Sequence, residues 1–170
     1  MRTIDADQKK TVLRMIPYGI YVLTAKNGSG DIAAATVNWV TQTSFDPPLV
    51  AIGVKPDSGG YAALADSRAF ALNFLGKDQQ GAAFAFFKPA AVEDGKISGE
   101  AYRDGDTGAP VLESAPACAE MKVVDIVEKG DHHIVIGEVV AVHGGDGIEG
   151  RADEASLHMK DLGDNVFYGG

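Results

Sequence analysis

The feature that most limits the fold is a pair of long runs, residues 119–129 and 132–143, in which apolar and polar side chains alternate. Successive side chains on a strand point to opposite faces, so this alternation marks two strands with one face buried. The tight connection Lys129-Gly130-Asp131 joins them as a hairpin. A chain organised round such a hairpin is committed to a mainly β architecture.

Other segments agree. Residues 18–26 and 69–75 are rich in aromatic and apolar side chains and read as strands. Residues 32–40 read as a strand paired with the first through the turn Asn27-Gly28-Ser29-Gly30. Residues 49–54, after Asp46-Pro47-Pro48, form a short apolar run typical of a buried strand. Three helices are expected. The first covers 5–16 and is stopped by Pro17, with Val12, Leu13 and Ile16 as its apolar stripe. The second covers 58–66, capped by Asp57 or Ser58, and the third covers 78–87, with Asp78 as its cap. Residues 88–108 read as a long loop with one short strand, and 144–155 as an acidic, glycine-rich loop. Residues 157–168 are a further strand or a packed tail. The 21 glycines suit many tight turns. The 170 residues match one domain, so 1–170 is a single unit, a Greek-key or split β-barrel with a few short helices.

Charge removes some functions. The net charge is -9 and no Lys/Arg cluster interrupts it, so neither nucleic acid nor an anionic membrane surface is an expected partner. No apolar run is long enough to span a bilayer. The single cysteine, Cys118, excludes an intrachain disulfide, which suits a reducing cytoplasm, and reads as a small buried hydrophobe. No dinucleotide fingerprint, phosphate loop or nucleophile elbow is present. His132 and His133 are neighbours on one strand and point to opposite faces, so they do not form a metal pair, and no metal site is expected.

What remains is an ordered set of short motifs: Thr36-Val37-Asn38-Trp39, Asp46-Pro47-Pro48-Leu49, Lys55-Pro56-Asp57-Ser58, Phe70-Ala71-Leu72-Asn73 and Gly130-Asp131-His132. In this order and spacing the chain resembles the flavin reductase-like family of FMN-binding split barrels, over roughly residues 17–142. Tyr168-Gly169-Gly170 also looks like the end of one subgroup. The resemblance implies an NAD(P)H-dependent flavin reductase, with FMN as cofactor and NADH or NADPH as co-substrate, acting as a homodimer with FMN near the subunit interface. An oxygenase or another electron acceptor is the implied partner.

The chemistry of FMN matches these residues. By resemblance, Thr36, Val37, Asn38 and Trp39 line the ribityl and phosphate region. Lys55 offers a cation and Ser58 a hydroxyl at a helix start, where anions are favoured. Gln42, Thr43 and Ser44 offer backbone groups to the ring edge, and Asn73 is a further cofactor contact. His132 is the expected catalytic residue, orienting the nicotinamide or bonding the flavin edge. Hydride passes from the nicotinamide to flavin N5, a step in which the cofactor does the chemistry and the protein supplies position. Each residue also has a plainer role. Trp39 serves as core or interface aromatic, Asn73 as a strand-end hydrogen bonder, Phe86 and Phe87 as core, and His132 as a turn cap with Asp131. Two rival functions stay open: an FMN-binding electron-transfer protein without free-flavin reductase activity, and a binder of another planar ligand such as haem.

Overall fold

The computed structural model describes residues 2–170. Its main layer is a seven-stranded antiparallel sheet. In chain order its strands are β1 (Tyr21–Lys26), β2 (Ile32–Val37), β3 (Val40–Ser44), β4 (Leu49–Val54), β5 (Ala69–Phe74), β10 (Ala117–Val127) and β11 (His133–Gly144). They lie side by side in the order β2-β1-β5-β10-β11-β4-β3. The long hairpin expected from the alternating runs is β10–β11, at the centre of the sheet, and its pairing carries two register shifts that bend it.

One break in the chain shapes everything else. Residues 32–40 were expected as one strand, but the run divides at Asn38 and Trp39. β2 pairs with β1 at one edge of the sheet, whereas β3 pairs with β4 at the other. The three Cα steps from Val37 to Val40 reach at most roughly 11 Å. The two edges must therefore come together at this corner, and the sheet curls. The strands are not closed by hydrogen bonding into a complete barrel.

Curling buries both faces. Leu23, Ile52, Phe70, Leu72, Met121 and Val135 fill the inside, where Ala63 and Leu64 of α2 (Gly59–Ser67) plug it. Ile20, Val22 and Ala34 face the other way, against Leu75, Phe86, Ile97, Leu112 and Leu157. Val22 and Leu23 thus serve opposite cores, as a period of two requires. That second core is covered partly by a small sheet of β6 (Val92–Glu93), β7 (Lys96–Ile97), β8 (Glu100–Asp104) and β9 (Pro110–Leu112). Most of it lies in the stretch read as a loop. Asp94-Gly95 and Ser98-Gly99, all at positive φ, make its two turns too tight for an alternating pattern to show.

Smaller differences have local causes. The first helix is α1 (Ala6–Leu13), capped by Asp5, and buries none of its residues; Val12, Leu13 and Ile16 stay exposed. α3 (Gln80–Ala85) has no side-chain cap: Asp78 does not serve, and Gln79 instead accepts from the Gly76 N–H. α4 (Ala152–Ala155) interrupts the acidic loop. The final segment is a packed tail rather than a strand, anchored by buried Leu157 and Leu162. Among the described residues no helix is long and apolar enough to cross a membrane.

Candidate functional site

The corner that curls the sheet also borders a cleft of about 410 Å³. That lies within the range of small-molecule sites, roughly 300–1,000 Å³. Seven parts of the chain converge on it. They are Ile20 just before β1, the end of β2, the end of β4 with Lys55, Ser58 at the start of α2, the end of α3, the β10–β11 turn and the tail. Its walls are largely apolar, from Ile20, Val37, Val54, Phe86, Phe87 and Phe167, and Thr36, Asn38, Lys55, Ser58 and His132 are among its polar groups. Phe86 belongs to the core and also forms a wall, whereas Phe87 is half exposed.

Five of the expected cofactor residues meet here: Thr36, Val37, Asn38, Lys55 and Ser58. Thr36 is fixed on the edge strand because its hydroxyl donates to Ala83 O at 2.7 Å and its N–H to Phe86 O at 3.1 Å. Asn38 is buried, and its amide donates to Tyr168 O at 3.0 Å. Ser58 is the N-cap of α2, accepting from Tyr61 N at 3.1 Å while its hydroxyl donates to Lys55 O at 2.7 Å. This bond ties the lysine's backbone to the helix start, leaving an exposed ammonium group whose one ion pair among the described residues is with Asp57 at 4.0 Å.

The other expected residues fall elsewhere. Trp39 stands just outside the cleft, with its ring 4.5 Å from His132 and 5.3 Å from Tyr168. Its buried indole N–H finds no partner among the described residues. Gly53 allows this seat, since a Cβ there would meet Trp39 Cε3 at 3.1 Å. Gln42, Thr43 and Ser44 lie along exposed edge strand β3, where a register shift between Gln42 and Ser44 interrupts the ladder. Asn73 does not reach the cleft. It is fully buried, donating to Val22 O and Thr24 Oγ1 at 3.0 Å each and accepting from Leu112 N at 2.9 Å. With Thr24 Oγ1 donating to Pro110 O, it pins the small sheet to the large one.

His132 does face the cleft, and His133 turns away to contact the Tyr61 hydroxyl at 2.9 Å. Asp131 Oδ1 lies 2.9 Å from His132 Nδ1 and Tyr168 Oη lies 2.7 Å from Nε2. A carboxylate only accepts, so Nδ1 carries the proton in the neutral ring and Nε2 accepts from the tyrosine hydroxyl. The same hydrogen bond holds the exposed Asp131 carboxyl below the ordinary carboxylate range.

Tyr168 and Phe167 escaped sequence reasoning as site residues because a tail without strand or helix pattern gives no signal of where it packs. A second polar cluster escaped it as well. Glu120 is fully buried on β10 and accepts from Thr107 Oγ1 (2.6 Å), Thr107 N (2.8 Å), Asp106 N (2.9 Å) and His143 Nε2 (2.6 Å). Burial alone would raise its pKa, but these bonds outweigh it and hold the carboxyl at about 2. Asp106, Glu120 and His143 are the metal-capable grouping found among the described residues, and its buried carboxylate is already committed to these four bonds.

The fold and the cleft define a mainly β protein with a concave, largely apolar site that carries a few polar groups, among them the Lys55 ammonium. A family model described as flavin reductase like domain matches residues 13–160. The chain belongs to that family. It is 31% identical over 156 residues to an NADH:FMN oxidoreductase of Rhodococcus erythropolis, covering 91% of this chain and 79% of that protein. A probable flavin reductase of Rhizobium meliloti is 34% identical over 123 residues, but this chain spans only 39% of its length. The flavin reductase of the styrene monooxygenase of Pseudomonas putida superposes with a TM-score of 0.69 at 28% identity, covering 84% of this chain and 88% of that one.

Proposed function

We propose that this chain binds FMN in the corner cleft and catalyses its reduction by NADH or NADPH. The observation that carries the reading is the lining of the cleft: apolar walls from Val37, Val54, Phe86, Phe87 and Phe167, with Lys55, the α2 start and His132 among its polar groups. The donor set fits the cofactor. The start of α2 offers N–H groups and a favourable dipole beside the Lys55 ammonium, which suits a phosphate. Thr36 and Asn38 supply polar atoms for a hydroxylated chain. Phe86, Phe87 and Val54 supply surface for a flat ring.

When bound, FMN supplies the redox centre that accepts a hydride from the nicotinamide. The chain's own part is position. His132, held as the Nδ1–H form, presents a directed ring to the nicotinamide, and Phe87 and Phe167 shield the cleft from water. No side chain has to donate or accept a proton in the hydride step.

We also infer a homodimer, supported by exposed apolar side chains such as Phe45 and Val142, and a cytoplasmic location, consistent with the single buried cysteine. An oxygenase is the assigned recipient of reduced flavin, on the ground that one structural relative is the reductase of a monooxygenase. The test is a fluorescence titration with FMN and with riboflavin, followed by steady-state NADH and NADPH oxidation. The reading predicts that FMN binds at least tenfold tighter than riboflavin, that Lys55→Ala removes most of that difference, and that added FMN supports pyridine nucleotide oxidation. Equal affinity for the two flavins, unaltered by Lys55→Ala, contradicts it.

A further inference from the structure

We propose that Tyr168, delivered by the C-terminal tail, is a positioning residue for the reaction. It fixes the His132 ring at the angle from which that ring meets the nicotinamide. The inference rests on the reductase reading of the cleft and adds to it a residue to which the sequence assigned no role.

His132 sits beside a hairpin turn, where a side chain has rotamer freedom to lose. It is restrained on three sides. Asp131 holds Nδ1, the Trp39 ring lies against the imidazole at 4.5 Å with a tilt of 55°, and Tyr168 holds Nε2. The first two are neighbours in sequence or across the corner. Tyr168 comes from residues 163–170, which belong to no helix or strand. The tail is instead fastened on both sides of Tyr168 by specific contacts. The Asn38 amide donates to Tyr168 O at 3.0 Å, Arg14 Nε donates to Gly169 O at 3.1 Å, and the Arg14 guanidinium lies 4.2 Å from the Phe167 ring centroid. Gly169, at φ 145°, lets the chain turn away directly after the tyrosine. Tyr168 keeps 47% of its surface exposed, so burial of its ring does not account for its place. What its place achieves is the 2.7 Å bond to Nε2, the one ring nitrogen that Asp131 leaves without a partner.

The experiment compares wild type, Tyr168→Phe, His132→Asn and the double variant, each saturated with FMN, in steady-state NADH oxidation. Loss of one directed hydrogen bond predicts a KM for NADH about fivefold higher in Tyr168→Phe at nearly constant kcat. Because Tyr168 acts through His132, the double variant is no worse than His132→Asn alone. A second readout needs no flavin: the long-range 1H–15N spectrum of the imidazoles. It shows His132 protonated at Nδ1 in the wild type, and the Nε2 resonance shifts in Tyr168→Phe. An unchanged KM, effects that add in the double variant, or an unmoved Nε2 resonance each overturns the proposal. A wild type that oxidises no NADH while the Nε2 resonance still shifts refutes the reductase reading itself, and the nicotinamide role of Tyr168 with it.

Discussion

Replacing Glu120 by glutamine tests whether the buried cluster beneath residues 105–109 holds the central hairpin to the small sheet. All four partners of the carboxylate donate to it. In the glutamine variant one oxygen still accepts from Thr107, but an NH2 group faces Asp106 N and His143 Nε2, so donors meet donors. The folded carboxyl sits at about 2, against an ordinary value of 4.5. That gap corresponds to at most roughly 3.4 kcal/mol. The cluster lies under a single surface loop, and solvent screening reduces the expected effect to about 1.5–2 kcal/mol. The sign follows from a folded pKa below the unfolded one. The contribution is complete above pH 5 and is lost as the pH falls through about 4.5 towards 2, with more than half gone by pH 3. Urea unfolding of both proteins at pH 7, 5, 4 and 3 reads it. Wild type should exceed Glu120→Gln at pH 7, and the difference should shrink on acidification. No difference at pH 7, or one that stays constant down to pH 3, refutes the reasoning.

Three further substitutions or treatments probe other parts of the account. Asn73→Ala removes three buried hydrogen bonds and should cost about 2–4 kcal/mol in chemical unfolding, while FMN affinity of the folded protein, measured by flavin fluorescence, stays at the wild-type value. Gly137→Ala places a Cβ 2.8 Å from Phe70 Cζ and 3.0 Å from Met121; calorimetry should show a lower Tm, matching an overpacking cost of roughly 1–3 kcal/mol. Burial, reinforced by the Glu120 charge, pushes the Cys118 thiol up to about 12, so iodoacetamide at pH 8 should label it only after unfolding, as mass spectrometry would show.

The mainly β architecture was legible because β10 opens on an alternating pattern and β11 is rich in β-branched residues, with a glycine turn between them. β1, β4 and β5 were legible as dense apolar runs, although their burial on both faces hid which side each residue serves. The corner was not legible: Asn38 and Trp39 continue the extended pattern of β2, and only pairing with opposite sheet edges reveals the change of direction. The motifs located the cleft through Thr36, Lys55, Ser58 and His132, since each stands at the end of a readable element. Asn73 misled because a buried amide looks the same in sequence whether it bonds a ligand or the backbone of a neighbouring sheet. Tyr168 and Glu120 were invisible for a related reason. Their partners lie 36 and from 13 to 23 residues away in the chain, and neither carries a local pattern that announces a polar contact.

The most direct test of the central claim is anaerobic mixing of the FMN-loaded protein with NADH, and separately with NADPH, followed by the visible flavin absorbance. The account predicts rapid bleaching by at least one pyridine nucleotide, slowed in His132→Asn. A bound flavin that resists both nucleotides and bleaches only with dithionite would contradict it and mark the protein as an electron carrier.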